Sequence, residues 1–323
     1  MKSVTGLHHI TAIAGPAQEN LDFYAGVLGM SLVKKSVNQD DPGTYHLFYA
    51  DAQGHPGTDL TFFPWSQAAP STPGHGLASE VALAIPQGSL PWWGSRLERY
   101  GAPIGAVETR FGERALGITD PHGLKVALVE AEASPARPFT PSESSSVPAG
   151  HQIRGLHGAR MRERNLSATA EFLTEVMGFR LVGTEGEWHR YAVAKGGSGA
   201  FVDLAEAPGV PRGFWGVGSV HHIAWRADDE AHQAALRKQM EAASRRPTPV
   251  IDRFWFKSVY FTEPGGVLFE VATDGPGFSV DEDPAHLGEA LVLPPWLEPE
   301  RAKIEAALPA LSPPHPMPVA RGV

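Results

Sequence analysis

The chain contains no cysteine. This excludes thiolate metal sites, cysteine nucleophiles and disulfides, so a bound metal must be held by His, Asp or Glu. The absence assigns no redox compartment. No block of basic residues occurs and the net charge is −9, which argues against a nucleic-acid partner. No stretch approaches the roughly 20 apolar residues of a membrane helix. Residues 1–6 run into a histidine pair without the apolar core of a signal peptide. A cytoplasmic protein without a membrane partner is expected.

The composition is that of a globular chain, 42% hydrophobic and 20% charged, and 323 residues suffice for two domains. Residues 6–13 read as a strand rich in apolar residues. Residues 16–29 read as a helix opened by Pro16, with Leu21, Tyr24, Ala25 and Leu28 on one face and Gly29 as its stop. Strand-like runs follow at 30–37, 44–50 and 57–63, divided by turns such as Asp40-Asp41-Pro42-Gly43. The order β-α-β-β-β then recurs from about 79, from 154 and from 220.

Internal matches support the repeat. Gly6-Leu7-His8-His9 parallels Gly155-Leu156-His157-Gly158, and Asp120-Pro121-His122-Gly123 parallels Glu263-Pro264-Gly265-Gly266. An α+β fold of four βαβββ modules, paired into two domains whose curved mixed sheets enclose a cavity, is the economical reading. Residues 1–130 then form a first domain (modules 1 and 2) and 131–152 a linker. Residues 153–275 form a second domain (modules 3 and 4), and 276–323 a Pro-rich extension with a short helix at 298–308.

Aligning the modules places His9, Glu80, Gly158 and His222 at one position of the first strand. Phe62, Ala127, Asp203 and Glu270 share one position of the last. Glu270 sits between Phe269 and Val271, where an unpartnered charge would cost several kcal/mol. If modules one and four meet, His9, His222 and Glu270 supply two imidazoles and a carboxylate. That set suits a divalent metal with open positions, as in non-haem Fe(II) chemistry, and it also accepts Mn, Zn, Ni or Co. The other cavity has no such set, so one metal per chain is expected.

His8 and His221 alternate with the ligands and are expected on the opposite strand face, with a supporting or acid–base role as the other reading. Tyr260 and Arg253 precede the Glu270 strand; a phenol there can hydrogen-bond a bound oxygen, and an arginine can balance anionic charge. His46 is a further candidate for the cavity lining. Trp92-Trp93 reads as packing, and Gly196-Gly197-Ser198-Gly199 reads as a turn because it lacks the context of a phosphate loop.

Leu7-His8-His9-Ile10-Thr11, Val220-His221-His222-Ile223-Ala224 and Pro264-Gly265-Gly266-Val267-Leu268-Phe269-Glu270 resemble the vicinal oxygen chelate superfamily. More narrowly, with Tyr45-His46-Leu47-Phe48-Tyr49 and Thr109-Arg110-Phe111-Gly112, they resemble its ring-cleaving dioxygenases that act on hydroquinones. The resemblance implies His9, His222 and Glu270 as iron ligands, with supporting roles for His8, His221, Arg253 and Tyr260. It implies Fe(II), molecular oxygen and a small aromatic diol, of hydroquinone or catechol type, opened next to a hydroxylated carbon. A homo-oligomer is compatible with it. The rivals are a glyoxalase-like lyase or isomerase, which takes a second carboxylate that Phe62 does not provide, and a non-catalytic binding protein of the same superfamily.

Overall fold

The computed structural model of the protein describes residues 2–135 and 137–315. The first module comprises β1 (Leu7–Ala14), α1 (Ala17–Leu21), β2 (Ser31–Asn38), β3 (Asp41–Ala50) and β4 (Asp59–Pro64). Its helix, expected over 16–29, continues from α1 as a π-helical turn over Asp22–Val27 and stops at Gly29, whose φ of +68° needs no Cβ. The second module is β5 (Leu77–Ile85), α2 (Leu90–Arg99), β6 (Ile104–Arg110), β7 (Glu113–Thr119) and β8 (Lys125–Glu130). The third is β9 (Leu156–Glu163), α3 (Leu166–Glu175), β10 (Arg180–Glu185), β11 (Trp188–Ala192) and β12 (Phe201–Glu206). The fourth is β13 (Val220–Ala227), α4 (Glu230–Ala242), β14 (Ile251–Asp252), β15 (Lys257–Thr262) and β16 (Leu268–Thr273). No helix of the described residues is long and apolar enough to cross a membrane.

The strands build two eight-stranded mixed sheets, ordered β14-β15-β16-β13-β1-β4-β3-β2 and β10-β11-β12-β9-β5-β8-β7-β6. The division between the sheets is therefore not the division at the linker. Modules one and four share one sheet through β1 and β13, and modules two and three share the other through β5 and β9. The reason is burial: β1 is buried at all eight positions and β13 nearly so, so each needs a neighbour along its whole length. One continuous apolar core, including Val81, Leu128, Leu156, Ile223 and Phe269, runs through both sheets.

Beyond β16 the extension packs back on the first sheet, and its helix α5 spans Arg301–Ala307. Lys34 of β2 is wholly buried, and its ammonium binds the Phe278 carbonyl (3.1 Å), Asp281 (2.7 Å) and Glu282. A buried ammonium needs such carboxylates to offset lost hydration.

The turn between β15 and β16 is fixed by the buried Glu263, which accepts hydrogen bonds from Thr169 Oγ1, Gly265 N and Val267 N, each at 2.8 Å. Glu163, at the end of β9, is buried beside Gly265, and its carboxyl oxygens have no hydrogen-bond partner among the described residues. Burial, then the charge of Glu263, push the Glu163 carboxyl up to about 9. Glu163 is thus the neutral member of the pair at pH 7, whereas the three donors on Glu263 favour the charged form there. A carboxyl whose folded pKa lies above its unfolded value contributes stability that is full below the unfolded value, about 4.3, and is lost as pH rises through the folded one. Glu163→Gln is expected to remove this loss, raising the melting temperature at about pH 8 by several degrees while changing it little at about pH 4. Thermal denaturation across that range checks it; parallel slopes in the two proteins would refute the assignment.

Candidate metal centre

The site forms where β1 and β13 run antiparallel at the middle of the first sheet. Thr11 faces His222 and His9 faces Ala224 in the register, and β16 lies beside β13 with Glu270 opposite Ala224. His9 Nε2 and His222 Nε2 are 3.2 Å apart. Glu270 Oε2 lies 3.3 Å from the first and 3.0 Å from the second. All three side chains are buried, and among the described residues they are the only His, Asp or Glu group whose donors converge in this way.

The β1–β13 register shifts twice, each time by one inserted residue: His8 on β1 and His221 on β13. A bulge breaks strict alternation. His8 and His221 therefore do not point to the far face, as alternation predicts. Each turns edge-on to the histidine that follows it, with ring centroids 5.1 Å apart in both pairs.

The hydrogen bonds fix one tautomer chain. His8 Nε2 lies 3.1 Å from the Thr273 carbonyl, which only accepts, so Nε2 carries the proton. Burial, then the neighbouring His9, lower the His8 pKa to about 3, so the ring is neutral and its Nδ1 accepts. His9 Nδ1, 2.9 Å away, must donate to it, leaving His9 Nε2 with a bare lone pair aimed at Glu270 and His222. His221 Nδ1 likewise lies 2.8 Å from His222 Nδ1. Burial and then His222 lower the His221 pKa to about 3 as well.

Glu270 has two differently used oxygens. Oε1 accepts from Ser258 Oγ at 2.5 Å. Oε2 is buried and accepts no hydrogen bond from any described residue. Two bare imidazole nitrogens and one carboxylate oxygen facing each other out of water repel unless a cation sits among them. The donor set and its spacing fit a divalent metal with bonds of about 2.1 Å.

Tyr260 pairs with Glu270 in the β15–β16 register, and its ring meets His222 edge-on at 5.6 Å. Arg253 stacks over the Tyr260 ring at 5.5 Å and holds the exposed Asp40 through two contacts of 2.8 and 3.2 Å. Tyr260, Arg253 and His46 line one pocket with His9 and His222, whereas His8 and His221 stand behind those two rings. Phe48, Phe63, Trp255 and Phe256 form the apolar part of the wall. Trp92 and Trp93 lie away from it, Trp93 in the core.

The register corrects one alignment. Thr11 pairs with Thr61 on β4 as Ala224 pairs with Glu270 on β16. The first-module counterpart of Glu270 is therefore Thr61; Phe62 points into the core against Tyr24. Asp203 pairs with Arg160 and is the third-module counterpart, as aligned. In that second sheet the same place is filled by guanidinium groups. Arg110 holds Glu80 at 2.5 and 3.1 Å, Arg190 holds Asp203 at 2.8 and 3.1 Å, and Arg160 reaches Asp203 at 3.5 Å.

A family model, the Glyoxalase/Bleomycin resistance protein/Dioxygenase superfamily, matches residues 6–128 and 155–271. The chain belongs to this superfamily. A Bacillus subtilis (strain 168) protein named as a ring-cleaving dioxygenase, MhqO, is 44% identical over 307 residues, covering 95% of this chain and 96% of its own. The chlorohydroquinone/hydroquinone 1,2-dioxygenase of Sphingobium indicum is 34% identical, covering 91% and 93%. A crystal structure titled as a dioxygenase from Bacillus subtilis superposes with a TM-score of 0.91 at 43% identity, covering 97% of this chain and 99% of that one. These superfamily relatives bear names of one reaction type over nearly the whole length of the chain.

Ser258 is the residue of this site that sequence reasoning missed. It lies two residues before Tyr260, so strand alternation places both on the same face as the site. Ser258→Ala is expected to weaken divalent-metal affinity by roughly 10- to 100-fold, the usual cost of removing a partner that orients a ligand. Calorimetric titration with Mn(II) reads this, and unchanged affinity would show that Ser258 does not orient the carboxylate.

Proposed function

We propose that the protein is an Fe(II)-dependent, extradiol-type ring-cleaving dioxygenase acting on a hydroquinone-like aromatic diol with molecular oxygen. The reading rests on one observation above all: three buried donor atoms converge with their lone pairs free, on a chain whose relatives bear ring-cleaving names. His9, His222 and Glu270 would hold the metal. Bound there, the metal would supply Lewis acidity toward a ring hydroxyl and a path for electrons between ring and oxygen.

The chain's own residues do the rest. His8 and Ser258 aim two of the ligands, and His221 aims the third. Tyr260 stays a neutral phenol: burial first, and then the charge of Glu270, raise its pKa against the opposing pull of Arg253. It is therefore a hydrogen-bond donor toward a substrate oxygen. Arg253 beside it offsets the negative charge that a phenolate brings. The four aromatic wall residues exclude water from the reacting ring. The lyase reading lacks its second carboxylate, because Thr61 stands in that position.

The protein loaded anaerobically with Fe(II) is expected to consume one O2 per diol when hydroquinone is added with air. His9→Ala, His222→Ala and Glu270→Ala are each expected to lose metal and to fall to background uptake. Stoichiometric iron without oxygen uptake on any member of a hydroquinone and catechol panel would sink the proposal. A Glu270→Ala variant that binds iron with unchanged affinity would overturn the ligand assignment.

A further inference from the structure

The geometry points to His46 as the residue that selects a 1,4-diol, by hydrogen-bonding through Nδ1 the ring hydroxyl remote from the metal ligands. This inference rests on the ring-cleaving reading and names its substrate class.

The first sheet presents related faces from both sides of the site. On β15, Tyr260 pairs with Glu270, and Ser258 two residues earlier bonds the Glu270 carboxylate. On β3, Phe48 pairs with Thr61, and His46 two residues earlier bonds the Thr61 hydroxyl through Nε2 at 2.9 Å. His46 is thus the first-module counterpart of Ser258, on the opposite side of the pocket from Glu270. Thr61 is itself tied to Thr11 at 2.7 Å.

The ring is fixed. It packs against Phe48 and Phe63, with centroids 3.8 and 4.4 Å away. Burial, then the neighbouring His9 and His222, hold its pKa well below the ordinary value, so the imidazole is neutral and offers one polar contact beyond Thr61. Nδ1 makes no hydrogen bond to any described residue, although the side chain lines the pocket.

Tyr260 stands beside His222, and the Asn38 amide nitrogen bonds no described residue; the remaining polar groups around the pocket are engaged. Arg253 is bound to Asp40, the Gln39 amide donates to the Arg253 carbonyl at 2.9 Å, and Asn38 Oδ1 accepts from Asp40 N at 3.0 Å. An aromatic 1,4-diol that reaches the ligands through one oxygen carries its second hydroxyl across the ring. In an aromatic-walled pocket that hydroxyl needs a partner, and His46 Nδ1 supplies one. A 1,2-diol keeps both oxygens beside the ligands and leaves Nδ1 unmatched.

Binding of hydroquinone and of catechol to the Fe(II)-loaded protein is measured anaerobically by calorimetry, and oxygen uptake is measured in parallel. Wild type is expected to bind hydroquinone more tightly than catechol. His46→Phe keeps an aromatic ring between Phe48 and Phe63 and is expected to weaken hydroquinone binding on the order of tenfold or more, with catechol binding and iron content unchanged. His46→Asn, whose amide reaches the place of Nδ1, is expected to restore most of the preference and covers a folding failure of the first variant. Equal shifts for the two diols, no shift at full iron content, or a wild type without preference would each overturn the inference. So would Asn38→Leu moving the preference while His46→Phe does not. Absence of oxygen uptake with either diol would sink the ring-cleaving reading alone, because the binding preference still decides the role of His46.

Discussion

Two imidazole nitrogens and a carboxylate oxygen lie within 3.3 Å of one another in a place closed to water. This crowding is the constraint on which the first sheet depends. A buried carboxylate without a cation costs several kcal/mol, and lone pairs that face each other add to that cost. The neighbourhood is built to keep those lone pairs free. The Thr273 carbonyl fixes the His8 tautomer, His8 fixes that of His9, and Ser258 occupies the Glu270 oxygen that faces away from the imidazoles. Each of these contacts places a proton on the side remote from the site.

The second sheet meets the same problem and solves it differently. Its hollow also receives acids, the half-buried Glu80 at the place of His9 and the buried Asp203 at the place of Glu270. There the positive charge is carried by the chain itself, in the guanidinium groups of Arg110, Arg160 and Arg190. Arginine stays charged and fits carboxylates bidentately, so the ion pairs are complete without an external ion. One architecture thus carries a metal-type donor set in one half and a closed salt-bridge network in the other. The difference follows from the residues at matched positions of the two sheets.

The four modules and the convergence of His9, His222 and Glu270 were legible because both are local patterns: a repeated element order, and His-His-Ile twice with a carboxylate at the complementary strand end. What escaped were features of pairing. Which modules share a sheet is decided by contacts more than 200 residues apart in sequence, such as Ile10 with Ile223. The placement of His8 and His221 depends on single-residue bulges, which alternation cannot show. The identity of Thr61 as the counterpart of Glu270 depends on a one-residue register that apolar pattern alone leaves open, since Leu60, Thr61 and Phe62 are all buried. Lys34 looks like a surface residue by type, and only the returning extension makes it an interior one.

That extension ties the pocket to a part of the chain outside the two family matches, which end at 271. Asp281 accepts from the Trp255 indole at 3.0 Å and binds the Lys34 ammonium at 2.7 Å, while Phe278 packs against Phe48 at 5.2 Å. Trp255 and Phe48 are both pocket wall. The residue between Trp255 and Arg253, Phe254, holds a φ of +74°, a conformation that costs a bulky side chain about 1–3 kcal/mol and persists only where neighbours over-determine it. The Asp281–Trp255 hydrogen bond and the Asp40–Arg253 pair hold the residues on either side of that strained position. The shape of the wall opposite the ligands is therefore set by the extension and by the β2–β3 turn. The three converging donors, by contrast, stand on strands at the middle of the sheet.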